Sequence, residues 1–372
     1  MMKSHEYWMG VALEWARKGW GTTHPNPMVG CVIVEEDSEV AGGFHPESGK
    51  GHAEANALEA LGRKPRPGAV LYVTLEPCST YGRTSPCTKR ILDSGIRKVV
   101  VGTVDPNPAH EGSGCKLLRE AGVEVIEGVR EAECRDLNLI FNHAIRREGR
   151  PFVAMKIAST LDGKVATSTG ESQWITDPEA RQDVARWRRY FPAITVGANT
   201  VIRDNPRLTS RLPDREEWCP RRFILDTSLR SLAEAPGANV YTDAYADQTI
   251  LVATEGINSS QKALAGAAGI ELWEVEADAE GRVSLEAFIR KCQASGLTGI
   301  WVEPGEQLGR RFLGEGLADY LFVYIAPFIL GDSAAKSPFH FQQAERLADG
   351  IRLRESLSAP FGRDYLVRGH LH

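Results

Sequence analysis

The chain has 372 residues, 42% of them hydrophobic and 25% charged, with a formal net charge of −5. That length is large for a single core and predicts two domains. The near-balanced charge offers no basic surplus for a nucleic-acid partner, and no apolar run approaches the ~20 residues of a membrane span.

In chain order, MMKSHEYWMGVALEWARKGW carries Glu6 and Glu14 inside its apolar pattern and predicts an amphipathic helix, not a signal peptide. MVGCVIV reads as a buried strand, HAEANALEALGRK as a helix, AVLYVTL as a strand and CTKRILDSG as a short helix ending at Gly95. IRKVVVGTV is a third strand, GCKLLREAG a helix, and AECRDLNLIFNHAIRR one longer helix. Strands separated by helices predict a three-layer α/β/α sandwich. The charged stretch RREGRP marks a domain boundary, with a first domain over 1–147 and a second over 148–372.

The second domain restarts with the strand FVAMKIAST. PEARQDVARWRRY and LEAFIRKCQASG are helices, and AITVG, RRFILD, TILVAT and GIWVEPG are strands. YLFVYIAPFIL is a strand interrupted at Pro327, hence edge-like or bent there. AEAPGANVYTDAYAD reads as surface loop around one short strand. Seven cysteines, odd in number and scattered, favour reduced thiols and a cytoplasmic chain.

The stretch TLEPCSTYGRTSPC permits a disulfide loop, a structural metal knuckle or half of a catalytic metal site. Upstream, GHAEANAL places His52 and Glu54 where a helix begins. Cys87 also opens a helix, and Cys78 follows Pro77 directly after a strand. Helix N-termini favour thiolate over thiol. One imidazole and two thiolates, His52, Cys78 and Cys87, suit a tetrahedral zinc with a fourth position left for water. A carboxylate two residues from the His, Glu54, can shuttle protons. H-x-E with P-C and a second Cys is the arrangement of zinc deaminases. A structural knuckle needs a fourth protein ligand, and none is obvious nearby. His45, in the loop GGFHPESG, is expected to face substrate, and the loop between the cysteines to wall the pocket.

HPNPMVGCVIV, GHAEANAL and EPCSTYGRTSPC, with its long gap between cysteines, resemble the deaminase half of the bifunctional riboflavin-biosynthesis deaminase–reductases. MKIASTLDGKVATSTGESQWIT, VGANTVIRDNPRLTSR and IWVEPG are similar to the reductase half of that family. The resemblance implies a cytidine-deaminase-like first domain and a dihydrofolate-reductase-like α/β second domain. It implies hydrolytic deamination of 2,5-diamino-6-(5-phosphoribosylamino)pyrimidin-4(3H)-one, followed by NADPH-dependent reduction of the ribosyl group to ribityl. Asn26, presented between two prolines, is the candidate substrate contact of the first domain. Two departures fall in its pocket loop: Thr80 stands where the family commonly has His, and Ser85 where it has Pro.

No dinucleotide glycine fingerprint precedes a helix, so NADPH must bind by another route. The resemblance implies Ala158, Trp174, Thr200, Asp204 and Thr227 for the cofactor. Gly305, preceding a predicted helix, suits a phosphate; Arg310 and Arg311 read by default as helix-surface residues, with charge for the 2′-phosphate as the alternative. For substrate the resemblance implies Ser172, Arg188, Leu208, Arg211 and Glu303. Lys156, a polar residue inside an apolar strand, is read as a further substrate contact. Further departures are Pro304, Thr160 and Asn205. Rival readings are a deaminase fused to a weakened reductase, a non-catalytic zinc- and nucleotide-binding paralogue, and a tRNA deaminase. The expected partner is a small phosphorylated substrate, without nucleic acid or membrane, in a possible homo-oligomer.

Overall fold

The computed structural model describes residues 3–81, 85–108, 111–146 and 150–372. The chain separates into two compact units, Met1–Glu148 and Gly149–His372; residues 147–149, where the sequence places the boundary, lie outside the described residues.

Unit 1 runs α1 (His5–Arg17), β1 (Gly30–Glu35), β2 (Ser38–Phe44), α2 (Ala53–Leu61), β3 (Val70–Leu75), α3 (Cys87–Ser94), β4 (Lys98–Thr103), α4 (Ser113–Glu120), β5 (Glu124–Ile126), α5 (Glu131–Asp136) and α6 (Leu139–Arg146). Its sheet has the order β2-β1-β3-β4-β5, antiparallel around β1 and parallel from β3 onward. α1 buries Trp8, Met9, Ala12, Leu13 and Ala16 as one stripe. A Cβ on Gly30 would meet the α1 backbone at 2.0 Å, and one on Gly43 the α2 backbone at 2.4 Å. The two helices thus cover opposite faces, and the unit has three layers. Those close approaches explain why β2 escapes a propensity reading: its Gly42 and Gly43 are poor strand formers, required because Trp15 and α2 lie directly upon them.

The helix expected over AECRDLNLIFNHAIRR is two helices. At the break Asn138 N–H closes a tight turn onto Arg135 O. Its buried amide then exchanges hydrogen bonds of 2.8 and 2.9 Å with the Met28 backbone.

Unit 2 runs β6 (Phe152–Thr160), α7 (Pro178–Tyr190), β7 (Ala193–Gly197), α8 (Ala198–Asp204), β8 (Arg221–Leu225), α9 (Arg230–Glu234), α10 (Asn239–Thr242), β9 (Thr249–Thr254), α11 (Ser259–Ala267), β10 (Glu271–Val275), α12 (Leu285–Ala294), β11 (Gly299–Val302), α13 (Glu306–Gly314), β12 (Tyr320–Ala326), β13 (Arg354–Phe361) and β14 (Asp364–His370). The nine-stranded order is β10-β9-β8-β7-β11-β6-β12-β14-β13, parallel from β10 to β12 with an antiparallel hairpin at the end. β12 is not an edge. It lies between β6 and β14, and its last ladder pair, Ala326 with Thr160, precedes Pro327, so the proline interrupts nothing.

The stretch AEAPGANVYTDAYAD is likewise neither strand nor surface loop. It forms the end of α9, α10 and a 3₁₀ turn, with Val240 and Tyr241 buried. The cause is Arg222, fully buried on β8, whose guanidinium bonds both Asp243 carboxylate oxygens and the carbonyls of Val240 and Tyr245. Parallel strands converging on β6, β11 and β7 leave a crevice at their carboxyl ends, where open α/β sheets bind ligands.

Candidate metal centre and basic cleft

In unit 1, His52 is the N-cap residue of α2 and Glu54 sits in its first turn. Cys87 opens α3, and Cys78 follows β3 by three residues. His52 Nδ1 lies 3.6 Å from Cys78 Sγ and 3.3 Å from Cys87 Sγ. Nitrogen and sulfur ligands of one tetrahedral zinc stand about 3.5 Å apart, given bond lengths of about 2.0 and 2.3 Å. The three side chains therefore fit a zinc ion. No fourth His, Cys, Asp or Glu joins the cluster among the described residues. His52 is exposed while Cys87 is buried, so the set opens toward solvent on one side.

With no metal between them, the three groups hydrogen-bond to one another. The Cys87 N–H donates to Cys78 Sγ at 3.3 Å. The hydrogen bond from Cys87, then His52, draws the Cys78 thiol down against burial, while Cys87 is pushed up. His52 is raised by its contact with Cys78. Glu54 is 3% exposed; burial, joined by Cys78, pushes its carboxyl above the usual carboxylate range.

Asn26 lies beside the cluster through His45. The His45 Nδ1–H donates to Gly51 O at 3.0 Å, which leaves Nε2 to accept from Asn26 Nδ2 at 3.1 Å. Contrary to expectation, His45 is not open to substrate: it is 4% exposed, both ring nitrogens are engaged, and its ring packs edge-on against His52. Its evident work is to hold Asn26. The pocket-loop reading falls partly on residues 82–84, outside the described residues.

In unit 2 a cleft of about 1210 Å³ opens at the carboxyl ends of β6, β7, β8 and β11. Ala158, Trp174, Thr200, Asp204, Thr227 and Gly305 line it, as do Lys156, Ser172, Arg188, Leu208, Arg211 and Glu303. Ten basic side chains face four acidic ones across it. In a chain of net charge −5, that concentration attracts phosphorylated ligands. The volume exceeds a typical single-ligand pocket of about 300–1,000 Å³.

Several nominated residues are bonded to one another. Arg188 sends Nε and Nη2 to the Glu303 carboxylate at 2.6 and 2.9 Å and Nη1 to Thr209 O at 3.0 Å. Its fork is thus turned to Glu303 and Thr209 O while the residue still lines the cleft. Arg211 is exposed, and nothing in the described structure occupies its guanidinium. Burial pushes the Glu303 carboxyl up, but Arg188, Lys156 and the Trp301 indole N–H outweigh it and hold it at about 2. Lys156 is lowered by burial and supported by Glu303, with no ion pair within 4.0 Å among the described residues. Ser172 Oγ donates to Asp204 at 3.1 Å.

The Leu208 side chain is 2% exposed and its φ is +58°, so it offers the cleft backbone only. Gly305 is the N-cap of α13. Arg310 is tied to Glu306 and Ser337 O and is absent from the cleft lining. Arg311 lines it but is committed to Asp278, Glu315 and Val283 O. Sequence reasoning missed Arg203, Arg207, Arg230 and Arg282, which also line the cleft; they come from separate loops and helices, and no local spacing unites them.

Residues 2–103 match the cytidine and deoxycytidylate deaminase zinc-binding region, and residues 151–367 match the RibD C-terminal domain. Fold and sites define a two-domain enzyme, a zinc-dependent deaminase joined to a reductase of the NADPH-using type. The riboflavin biosynthesis protein RibD of Bacillus amyloliquefaciens is 40% identical over 96% of this chain and 94% of its own. That of Escherichia coli (strain K12) is 36% identical over 94% of each. The structure of the Thermotoga maritima diaminohydroxyphosphoribosylaminopyrimidine deaminase/5-amino-6-(5-phosphoribosylamino)uracil reductase covers 99% of this chain and 98% of its own at 34% identity, with a TM-score of 0.77. Acinetobacter baumannii RibD covers 98% of each at 34% identity, with a TM-score of 0.76. This chain belongs to the RibD family, the bifunctional deaminase–reductases of riboflavin biosynthesis.

Proposed function

We propose that unit 1 hydrolyses the amine of 2,5-diamino-6-(5-phosphoribosylamino)pyrimidin-4(3H)-one, and that unit 2 reduces the ribosyl group of the product to ribityl. The observation that carries the first step is the His52–Cys78–Cys87 cluster with Glu54 buried beside it. Zinc, when bound by those three side chains, supplies the Lewis acidity that makes water a nucleophile at neutral pH. Glu54 takes the proton from water, passes it to the ring nitrogen and then moves one to the departing amine, so that water and amine become ring carbonyl and ammonia. Its raised carboxyl suits a group that must both accept and release a proton. Asn26, held by His45, fixes the pyrimidine.

The cleft residues would hold NADPH, which when bound would supply the hydride for the sugar carbon, with a proton completing the reduction. Arg211 takes the substrate phosphate, since a guanidinium without a carboxylate partner presents its planar donor fork. Lys156 and Glu303 line the sugar. Thr200, Asp204 and Trp174 hold the cofactor, with a phosphate at the α13 N-terminus behind Gly305. We place the enzyme in the cytoplasm: its seven cysteines are free thiols, and no helix among the described residues can cross a membrane.

The test follows ammonia release and NADPH oxidation together, in wild type and in Glu54→Gln. The variant keeps its zinc, releases no ammonia, and still oxidises NADPH when given the deaminated intermediate. Ammonia release at the wild-type rate would sink the proton-carrier role. Loss of both activities with an intact fold would sink the separation of the two steps.

A further inference from the structure

Glu76 stands between the end of β3 and Cys78, and it is 6% exposed. Its Oε1 accepts the N–H groups of Gly114 at 2.8 Å and Cys115 at 3.1 Å. Its Oε2 accepts those of Gly112 at 2.9 Å and Asp105 at 3.1 Å. Its own N–H donates to Thr103 O at 2.9 Å. One side chain therefore binds three amides at the start of α4 and a fourth in the chain leaving β4. An ordinary capping side chain satisfies a single donor.

The helix also presses on the peptide before the cysteine. A Cβ on Gly114 would stand 2.1 Å from the Pro77 carbonyl oxygen, a distance only glycine avoids. On the other side of Cys78, Ser79 Oγ meets Ser113 Oγ at 2.9 Å. The turn that carries Cys78 is thus fastened to α4 both before and after the sulfur-bearing residue.

We propose that Glu76 is a positioning residue for the metal centre: through the start of α4 it fixes the Pro77 peptide, and with it the place of Cys78 Sγ relative to His52 and Cys87. The inference rests on the zinc reading of that cluster. Groups that orient ligands without touching the metal commonly change its affinity by about 10- to 100-fold. A carboxylate with four backbone donors is hard to replace: in Glu76→Gln one oxygen becomes an NH₂ that opposes two of those donors. Gly114→Ala pushes the same peptide from the helix side and leaves the carboxylate chemistry intact.

The experiment uses the full chain, wild type and both variants. Zinc affinity is read by competition with a chromophoric chelator, and ligand geometry by the absorption bands of the cobalt-substituted protein. NADPH oxidation on adding the deaminated intermediate serves as an internal control in the other unit. We expect zinc affinity to fall about 10- to 100-fold in both variants and the cobalt bands to move. Unfolding temperature drops as well, and NADPH oxidation is unchanged. If both variants hold zinc within about threefold of wild type and show the wild-type cobalt spectrum, and only the unfolding temperature falls, Glu76 is a helix cap and the inference is wrong. Should Glu76→Gln fail to fold, Gly114→Ala alone decides by the same readings. Wild-type protein that bound no zinc would overturn the metal assignment itself, and this inference with it.

Discussion

Replacing Arg188 by Met tests the electrostatic account of the cleft. Arg188 and Glu303 have side chains 17% and 15% exposed and share two hydrogen bonds. The variant keeps much of the volume but leaves Glu303 charged against the indole of Trp301 and the more distant Lys156. Removing one partner of a buried pair costs about 3–5 kcal/mol. Against burial, which pushes it up, the Glu303 carboxyl is held at about 2 by Arg188, Lys156 and Trp301 together, a net effect of about 3 kcal/mol to which Arg188 is the largest favourable contributor. For a domain of this size that is a fall of roughly 10 °C in unfolding temperature.

The pH dependence has a definite sign. A carboxyl lowered on folding contributes stability that is complete above its unfolded value. That contribution is lost as pH falls through the folded one. The deficit of Arg188→Met narrows as pH falls: burial, no longer opposed by Arg188, lifts the variant's Glu303 carboxyl, and the difference closes as the wild-type group protonates at about 2. The double variant Arg188→Met with Glu303→Gln removes both charges of the pair and recovers part of the loss, the remainder reflecting Lys156, which loses the carboxylate that supports it. Calorimetry of the full chain, with the reductase transition identified by its shift on adding NADP⁺, measures all three. A single-variant deficit below about 1 kcal/mol, or a double variant no more stable than the single, refutes the reasoning.

Arg211→Ala should raise the KM for the phosphorylated substrate about 10-fold or more, the worth of a charged hydrogen bond, while kcat stays nearly constant; steady-state kinetics showing the reverse pattern would discard the phosphate role. Thr80→His restores the side chain common in the family and should raise deaminase kcat/KM about 2- to 10-fold, and unchanged kinetics would show that the position does not touch substrate. Arg222→Met strips the buried guanidinium from Asp243 and the carbonyls of Val240, Tyr245 and Arg207. It should cost about 3–5 kcal/mol and expose residues 239–248 to limited proteolysis, and an uncleaved, equally stable variant would contradict the account given for that segment.

The cluster of His52, Cys78 and Cys87 was legible from sequence because each is marked by its neighbours. His52 and Cys87 stand at helix starts, Cys78 follows a proline at a strand end, and Glu54 lies two residues from His52. Most strands of unit 2 were legible as largely apolar runs, the pattern of a parallel sheet covered on both faces. Tertiary structure alone decided the rest, because the causes lie far apart in the chain. β2 is a strand although Gly42 and Gly43 argue against it, since helices rest on those glycines. The stretch 233–247 is helical because a buried arginine from a preceding strand claims its carbonyls. Pro327 is harmless because the ladder ends one residue earlier. Arg188 and Glu303, 115 positions apart, become one ion pair on the wall of the cleft. Local residue order thus specifies which groups can do chemistry, whereas the distances between them, and which are already spoken for, follow from packing that no short window of sequence contains.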